Sequence, residues 1–98
     1  MTGIPEMLVL RLLSRQPMHG YAVVQAIKRR SEEKLQFGEG SIYPILHRLE
    51  GDKMLKTSRT MVNGRERVVY SITASGKKRL SEYHSLWEQV VIAVDAVF

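Results

Sequence analysis

Residues 41–72, SIYPILHRLEGDKMLKTSRTMVNGRERVVYSI, change from a helical pattern to a strand pattern within one short stretch. Near its start, apolar residues recur at the spacing of one buried helix face: Ile42, Ile45, Leu46 and Leu49. The chain then alternates with a period of two on either side of Asn63-Gly64. This dipeptide favours a tight hairpin turn, because both of its positions tolerate positive φ. The stretch therefore predicts a helix over residues 41–52 followed by a two-stranded hairpin.

Two further helices are predicted before this stretch. Pro5 suits the first turn of a helix, and the apolar run of residues 7–13 predicts a helix that is buried on more than one side. Residues 20–30 form the next helix, whose apolar stripe consists of Tyr21, Val24 and Ile27. Three helices followed by a hairpin is the order of a winged helix-turn-helix. We therefore expect a mainly α fold with a β-hairpin wing (α+β).

A last helix is predicted from residue 74 towards the C-terminus, with Thr73 as its N-cap. Its apolar side chains step mostly by three and four: Leu80, Tyr83, Trp87, Val90, Val91 and Val94. The helix starts where the winged domain should be complete, so in a monomer this face would be a larger apolar patch than such proteins usually expose. We expect a homodimer in which residues 1–73 form the winged helix-turn-helix and residues 74–98 the dimerisation helix, within one structural unit.

The charge of the chain is concentrated in its middle. The formal net charge is +5, yet residues 28–79 hold 13 basic and 6 acidic side chains. Residues 80–98 hold Glu82, Glu88 and Asp95 and no lysine or arginine. A basic middle and an acidic, apolar tail suggest that the first faces a polyanion and the second faces protein.

Several classes of protein are excluded or disfavoured. The chain has no cysteine, which excludes a disulfide scaffold, a thiolate zinc site and a cysteine nucleophile. No two of its three histidines share the local spacing of a metal site, and no phosphate-binding loop or nucleophile elbow is present. We therefore expect no catalytic residue, no metal and no cofactor. Without a signal peptide or an apolar run long enough to span a membrane, the protein is expected in the cytoplasm and not at a membrane.

Four short stretches carry a family resemblance: PMHGY at residues 17–21, GSIYPILHRLE at 40–50, NGRERVVY at 63–70 and ITASGK at 72–77. They resemble the PadR family of bacterial transcriptional regulators, and the resemblance extends over residues 4–80. It implies a dimeric winged-helix repressor that reads DNA with its third helix and dimerises through its last. The chain looks like the short subfamily, which lacks an added effector domain.

Two positions depart from the family pattern. Where the family usually has a glycine after the third helix, this chain has Lys53. Either Lys53 adopts a left-handed conformation as a cap, or the helix stops sooner. The wing often carries a pair of tyrosines, and Val69 replaces the first of them. Both changes concern the helix end and the packing of the wing.

The residues expected to contact DNA lie on the outer side of the third helix and beside the hairpin turn: Ser41, Tyr43, Pro44, His47, Arg48, Arg65 and Arg67. Tyrosine, histidine and arginine can donate to phosphates or base edges. The alternative for the helix is an ordinary solvated face. The alternative for the two wing arginines is protection of an edge strand by charge.

Trp87 has two interpretations. It can be one bulky side chain in the dimer seam, or, as the resemblance implies for some members of the short subfamily, it can contact a small aromatic effector between the subunits. The whole chain also has alternatives. A basic winged helix can bind RNA or the ribosome, or it can dock a protein only. The acidic, apolar tail at residues 80–98 favours the homodimeric DNA-binding repressor of an inverted-repeat operator over the RNA-binding alternative. A protein-docking module would differ from the repressor in ignoring nucleic acid at physiological salt.

Overall fold

The computed structural model describes residues 3–98. Along the chain the elements are α1 (Gly3–Arg15), β1 (Met18–His19), α2 (Gly20–Arg30), α3 (Glu39–Gly51), β2 (Leu55–Val62), β3 (Arg65–Ile72) and α4 (Ala74–Val97). The strands form one antiparallel sheet in the order β1-β3-β2. The predicted fold is confirmed: three helices, a hairpin wing and a long last helix.

The two-residue strand β1 was not predicted. Met18 pairs with Tyr70 and His19 pairs with Val69, so β1 lies along the edge of β3 that β2 leaves free. Two residues are too few to show an alternating pattern in the sequence. The pairing fixes the entrance to α2 against the base of the wing, and the His19 imidazole accepts the N–H of Ala22 at 3.4 Å as the N-cap of α2.

The hairpin turn and the end of α3 both use positive φ. Asn63 and Gly64 have φ of 52° and 77°, as the Asn-Gly dipeptide predicts. Lys53 has φ of 63°, and the N–H of Met54 donates to the carbonyl of Leu49 at 2.8 Å. This is a Schellman-type cap with lysine in the position that usually holds glycine. Of the two alternatives that the sequence leaves open, the structure has the left-handed cap at Lys53, and the last helical residue is Gly51.

The core lies where α1, α2 and α3 meet the base of the hairpin. The four predicted stripe residues of α3 are all buried, and the largest fully buried side chains of the protein are Leu10, Ile42, Leu46, Leu49, Leu55, Val9 and Val23. On α2 the stripe predicted from Tyr21 and Val24 is wrong in part. The helix buries Val23, Ala26 and Ile27, whereas Tyr21 is exposed.

The beginning of α4 is fixed against the loop after α3. The Thr73 hydroxyl accepts the N–H of Gly76 at 3.1 Å, which confirms the predicted N-cap, and it donates to the carbonyl of Lys53 at 2.7 Å. A Cβ at residue 76 would lie 2.2 Å from the carbonyl oxygen of Met54, so only glycine fits there.

The apolar face of α4 divides into two parts. Leu80 and Tyr83 pack against the core of their own protomer. Both are half-buried, so a part of each side chain remains exposed beside the rest of the predicted stripe. Beyond them the helix is exposed, with Trp87 at 37%, Val90 at 40%, Val91 at 39% and Val94 at 47% of their full exposure. Leu86 and Ile92 are exposed as well.

Candidate nucleic-acid interface

The outer face of α3 presents polar side chains beside a fully apolar inner face. Ser41, Pro44 and His47 are exposed, as the sequence predicts. Pro44 is the sixth residue of α3, beyond the first turn, so the carbonyl of Gly40 lacks the N–H donor that any other residue at position 44 would supply. The result is a short helix whose buried stripe fixes its rotation and whose opposite side remains available for a ligand.

Tyr43 is placed differently from the outward position that we expected. Its side chain is half-buried and packs against the core. The ring lies over Gly20, and its centroid is 6.3 Å from that of His47 with the two planes tilted by 56°. Tyr43 is therefore a boundary residue, which joins α2 to α3 on one side and supports His47 on the other.

Arg48 is exposed but not free. Its side chain is 55% exposed, and its Nη2 lies 3.5 Å from Oε1 of Glu6 in α1. Arg48 is therefore exposed, as the sequence predicts. Its guanidinium, however, is directed to the edge of α3 that faces α1.

The wing arginines differ from one another in surroundings. Arg65 is exposed and pairs with Val62 across the turn, at the tip of the hairpin. Arg67 is half-buried and lies further towards the domain. A third arginine, Arg59, forms an ion pair with Glu66 on the neighbouring strand. Of the three, Arg65 is the one that extends furthest from the helices.

A groove connects α3 with the wing. It has a volume of about 340 Å³ and lies between the start of α2, the outer side of α3 and strand β3. Its lining includes His19, Tyr21, Tyr43, His47, Arg67 and Tyr70. Two residues predicted separately, His47 from the helix and Arg67 from the wing, thus share one surface. Ser41, Arg48 and Arg65 do not line this groove.

Tyr70 forms part of the groove wall and is itself buried. Burial, and then the nearby negative charge of Glu50, raise the pKa of the Tyr70 phenol above its ordinary value. At neutral pH the group is a neutral hydrogen-bond donor, which adds no negative charge to a surface that would face phosphates.

Tyr21 was missed as a candidate site residue. It was assigned to the buried stripe of α2, but it is exposed and lines the groove. The signal was available, because Val23, Ala26 and Ile27 also have helical spacing and are small or branched apolar residues suited to a core.

Glu6 was also missed. It is the one buried charged residue among residues 3–98, and its carboxylate interacts with Arg48, Arg79 and Tyr83. Its partners lie 42 to 77 positions away, so no local pattern could have indicated it.

Trp87 lies between two cavities along the seam of α1 and α4. One, of about 440 Å³, has Arg11, Lys77 and His84 in its wall together with apolar side chains. The other, of about 130 Å³, has an almost wholly apolar wall that includes Ile4, Met7 and Val90. Both are open to solvent in the protomer.

Two further properties concern the described residues. Within residues 3–98, no three histidine or acidic side chains are grouped closely enough to hold a metal ion. Over the same residues, no helix has the length and hydropathy that a membrane-spanning segment requires.

Residues 9–82 match the Transcriptional regulator PadR-like family. The chain belongs to this family. It is 32% identical over 82 residues to the Transcriptional regulator Rv3488 of Mycobacterium tuberculosis, with 84% of this chain and 74% of that protein covered. Membership of the PadR-like family makes the protein a transcriptional regulator and not an enzyme.

Solved structures agree with this assignment. A PadR family transcriptional regulator from Eggerthella lenta superposes with a TM-score of 0.85 at 27% identity, covering 97% of this chain and 81% of that one. A transcriptional regulator from Clostridium thermocellum has a TM-score of 0.89 at 23% identity, covering 96% and 89%, which shows the shared fold. The PadR-like winged helix is thus the architecture of this chain.

Proposed function

We propose that the protein is a cytoplasmic, sequence-specific DNA-binding repressor that acts as a homodimer on an inverted-repeat operator. The observation that carries the proposal is the continuous surface formed by α3 and the wing, where His47 and Arg67 line one groove. The exposed face of such a helix enters the major groove of double-stranded DNA, and the wing contacts the backbone or the minor groove beside it.

Within this surface, the helix and the wing have different tasks. His47 is exposed in the second half of α3, with Pro44 about one turn and Ser41 nearly two turns before it, so these side chains would meet base edges. Tyr43, half-buried, would reach the DNA with the edge of its ring and its hydroxyl. Arg48 would bind guanine or phosphate from the α1 side of the helix.

The wing supplies positive charge that would bind DNA phosphates, which are the same in every DNA sequence. Arg65 at the tip and Arg67 nearer the domain would bind phosphates on the two sides of a groove. This contribution would act on any DNA sequence, and it would weaken with salt because each neutralised phosphate releases counterions.

The exposed half of α4 supports the homodimer. Trp87, Val90, Val91 and Val94 present an apolar stripe that the described residues of the protomer cover only in part. The sequence carries no lysine or arginine after Arg79, so this half of α4 does not suit DNA. The partner of matching chemistry is residues 74–98 of a second copy. In such a dimer the second copy would also cover the exposed parts of Leu80 and Tyr83. Twofold symmetry then requires half-sites separated by about one helical turn, roughly 34 Å.

A small aromatic ligand is proposed as an effector that relieves repression. The support is the position of Trp87 between two partly apolar cavities. A flat aromatic molecule could stack on the indole there, and a dimer would close the cavities from the other side.

The experiment is selection of bound sequences from a random pool of double-stranded DNA, followed by affinity measurements at several salt concentrations. We expect an enriched inverted repeat and an affinity that falls steeply with salt. His47→Ala should lose the preference for the selected sequence and keep the salt-dependent background. Equal binding to selected and random DNA would contradict the proposal, and tighter binding to structured RNA would favour an RNA-binding protein instead.

A further inference from the structure

We propose that Glu6 is a positioning residue for DNA recognition: its buried carboxylate holds Arg48 of α3 and makes the position of that arginine depend on α4. The inference rests on the proposed function, because it assumes that Arg48 contributes to operator binding. It goes further in assigning a role to a residue of α1 that is not itself on the DNA-binding surface.

The geometry of the Glu6 carboxylate links three helices. The side chain is only 7% exposed. Its Oε1 lies 3.5 Å from Nη2 of Arg48 and 3.7 Å from Nη1 of Arg79. Its Oε2 accepts a hydrogen bond from the hydroxyl of Tyr83. One partner thus comes from α3 and two come from α4.

The cost of burying a carboxylate shows why these contacts matter together. A charged group removed from water is stable only when it is paired and hydrogen-bonded. Glu6 meets this requirement with both oxygens occupied. An apolar residue of similar size would fill the same place in α1 without the cost of removing a charge from water. The carboxylate is therefore better explained by the positions that it imposes on its partners than by a contribution to the stability of the core.

Arg48 depends on Glu6 more than Arg79 does. The Arg48 side chain is 55% exposed and the Arg79 side chain 34%, so Arg48 has less protein around it to limit its rotamers. Both guanidinium groups share a single oxygen of Glu6. A shift that brings Arg79 closer would therefore loosen Arg48, and a shift of Tyr83 would rotate the carboxylate that both arginines use.

The consequence is a path of direct contacts from the last helix to the third. Tyr83 lies on α4 one turn before Trp87. A change in how α4 packs on α1 would reach Arg48 through one carboxylate, without rearrangement of the buried stripe of α3. Glu6 would in this way couple the proposed dimerisation helix to the proposed DNA-reading helix.

The test is a double-mutant cycle on the full-length protein, measuring affinity for the selected operator and for random DNA. Tyr83→Phe removes only the hydroxyl, and Arg48→Gln removes the proposed recipient of the effect. We expect Tyr83→Phe to weaken operator binding by about three- to thirty-fold in the wild-type background and by less than about two-fold in the Arg48→Gln background, because coupled residues are not additive. The affinity for random DNA should fall by a smaller factor than the affinity for the operator, because random DNA offers Arg48 phosphates but not the selected base edges.

Arg79→Gln and Lys78→Gln provide a matched pair on the same helix turn. Both remove one positive charge, but only Arg79 contacts Glu6. A change in operator affinity for the first and none for the second supports the inference. Equal effects of both variants, or an equal effect of Tyr83→Phe in both backgrounds, would overturn it.

A second measurement does not require DNA. The Nε–Hε NMR signal of Arg48 reports how far the guanidinium is ordered, and we expect Glu6→Gln and Tyr83→Phe to reduce that order while the fold is retained. An Arg48 signal that is unchanged in both variants would contradict the role of Glu6. If instead the signal responds and no operator can be selected, the proposed function fails and the positioning of Arg48 by Glu6 stands.

Discussion

Gly20 lies directly against the ring of Tyr43, so that a Cβ at residue 20 would come 2.6 Å from one ring carbon and 2.8 Å from another. The glycine is required for space and not for its backbone angles. It allows the first turn of α2 to approach α3 closely, and it leaves the Tyr43 ring beside His47. The spacing of the two helices of the helix-turn-helix therefore depends on one missing side chain.

Gly20→Ala should destabilise the protein by about 1–3 kcal/mol, because an added methyl in a packed contact forces the ring or the helix to move. Chemical denaturation measures this. Gly51→Ala is the control, since nothing lies within 4 Å of a Cβ at that position and alanine favours a helix. In a Tyr43→Ala background the cost of Gly20→Ala should largely disappear, and a cost that persists there would show that the ring is not its cause.

Lys53→Gly should stabilise the protein by about 0.5–1 kcal/mol. Lys53 has φ of 63°, where a side chain costs energy and glycine does not, although glycine also makes the unfolded chain more flexible. The free energy of unfolding in urea measures the change. Asp52→Gly, one residue earlier at φ of −85°, should have the opposite sign. Destabilisation by both substitutions would mean that the lysine side chain contributes more than the strain removes.

These two sites show how far the sequence predicts the fold. The stripe at Ile42 and Leu46 and the Asn63-Gly64 turn are local patterns, and each defines one element and its orientation. The left-handed cap at Lys53 could be anticipated because the family resemblance indicates that a glycine usually occupies this position. The close approach of Gly20 to Tyr43 joins residues 23 positions apart, and no periodicity encodes such a contact.

The candidate site was predictable to a similar degree. Exposure of Ser41, Pro44 and His47 follows from the buried stripe on the other side of the same helix. The environment of Arg48 does not, because Glu6 reaches it from a different helix. Leu80 and Tyr83 continue the apolar pattern of α4, yet they pack on their own protomer. A helical stripe indicates which side is buried but not which molecule covers it.

Stability should fall at alkaline pH because of Tyr70. Burial and Glu50 raise the pKa of its phenol, so the folded protein keeps this proton after the unfolded chain has lost it near pH 10. The contribution of the protonated Tyr70 phenol to the free energy of unfolding is complete below about pH 10 and is lost as the pH rises above it. Unfolding measurements between pH 8 and pH 11 should show a weaker decline in Tyr70→Phe than in the wild type. The same variant at pH 7 is the control for packing, and parallel curves for the two proteins would refute the assignment.

Arg65→Gln should weaken binding to selected and random DNA by the same factor. Arg65 is exposed at the wing tip, where it would contact phosphate and carry no sequence information. The slope of log affinity against log salt should decrease by about one. The double variant Arg59→Gln with Glu66→Gln is the control, because it removes an ion pair without changing the net charge of the wing. A loss confined to the selected sequence would place Arg65 on a base edge instead.

Val94→Asp should convert the protein to a monomer that remains folded. Val94 is 47% exposed in the protomer, so a carboxylate there costs little until a second copy covers it. Ile92→Asp is the matched control: Ile92 is 69% exposed on the same helix, but at about 100° per residue it lies roughly 140° around the axis from Trp87, away from the stripe. Sedimentation should give a dimer for the wild type and Ile92→Asp, and a monomer for Val94→Asp.

Because an inverted repeat is bound by both copies at once, the monomer should also lose most of its operator affinity while each winged helix keeps its weak binding to a half-site. A dimer that survives Val94→Asp, or a wild type that is monomeric, would show that α4 does not bury this face against a second copy.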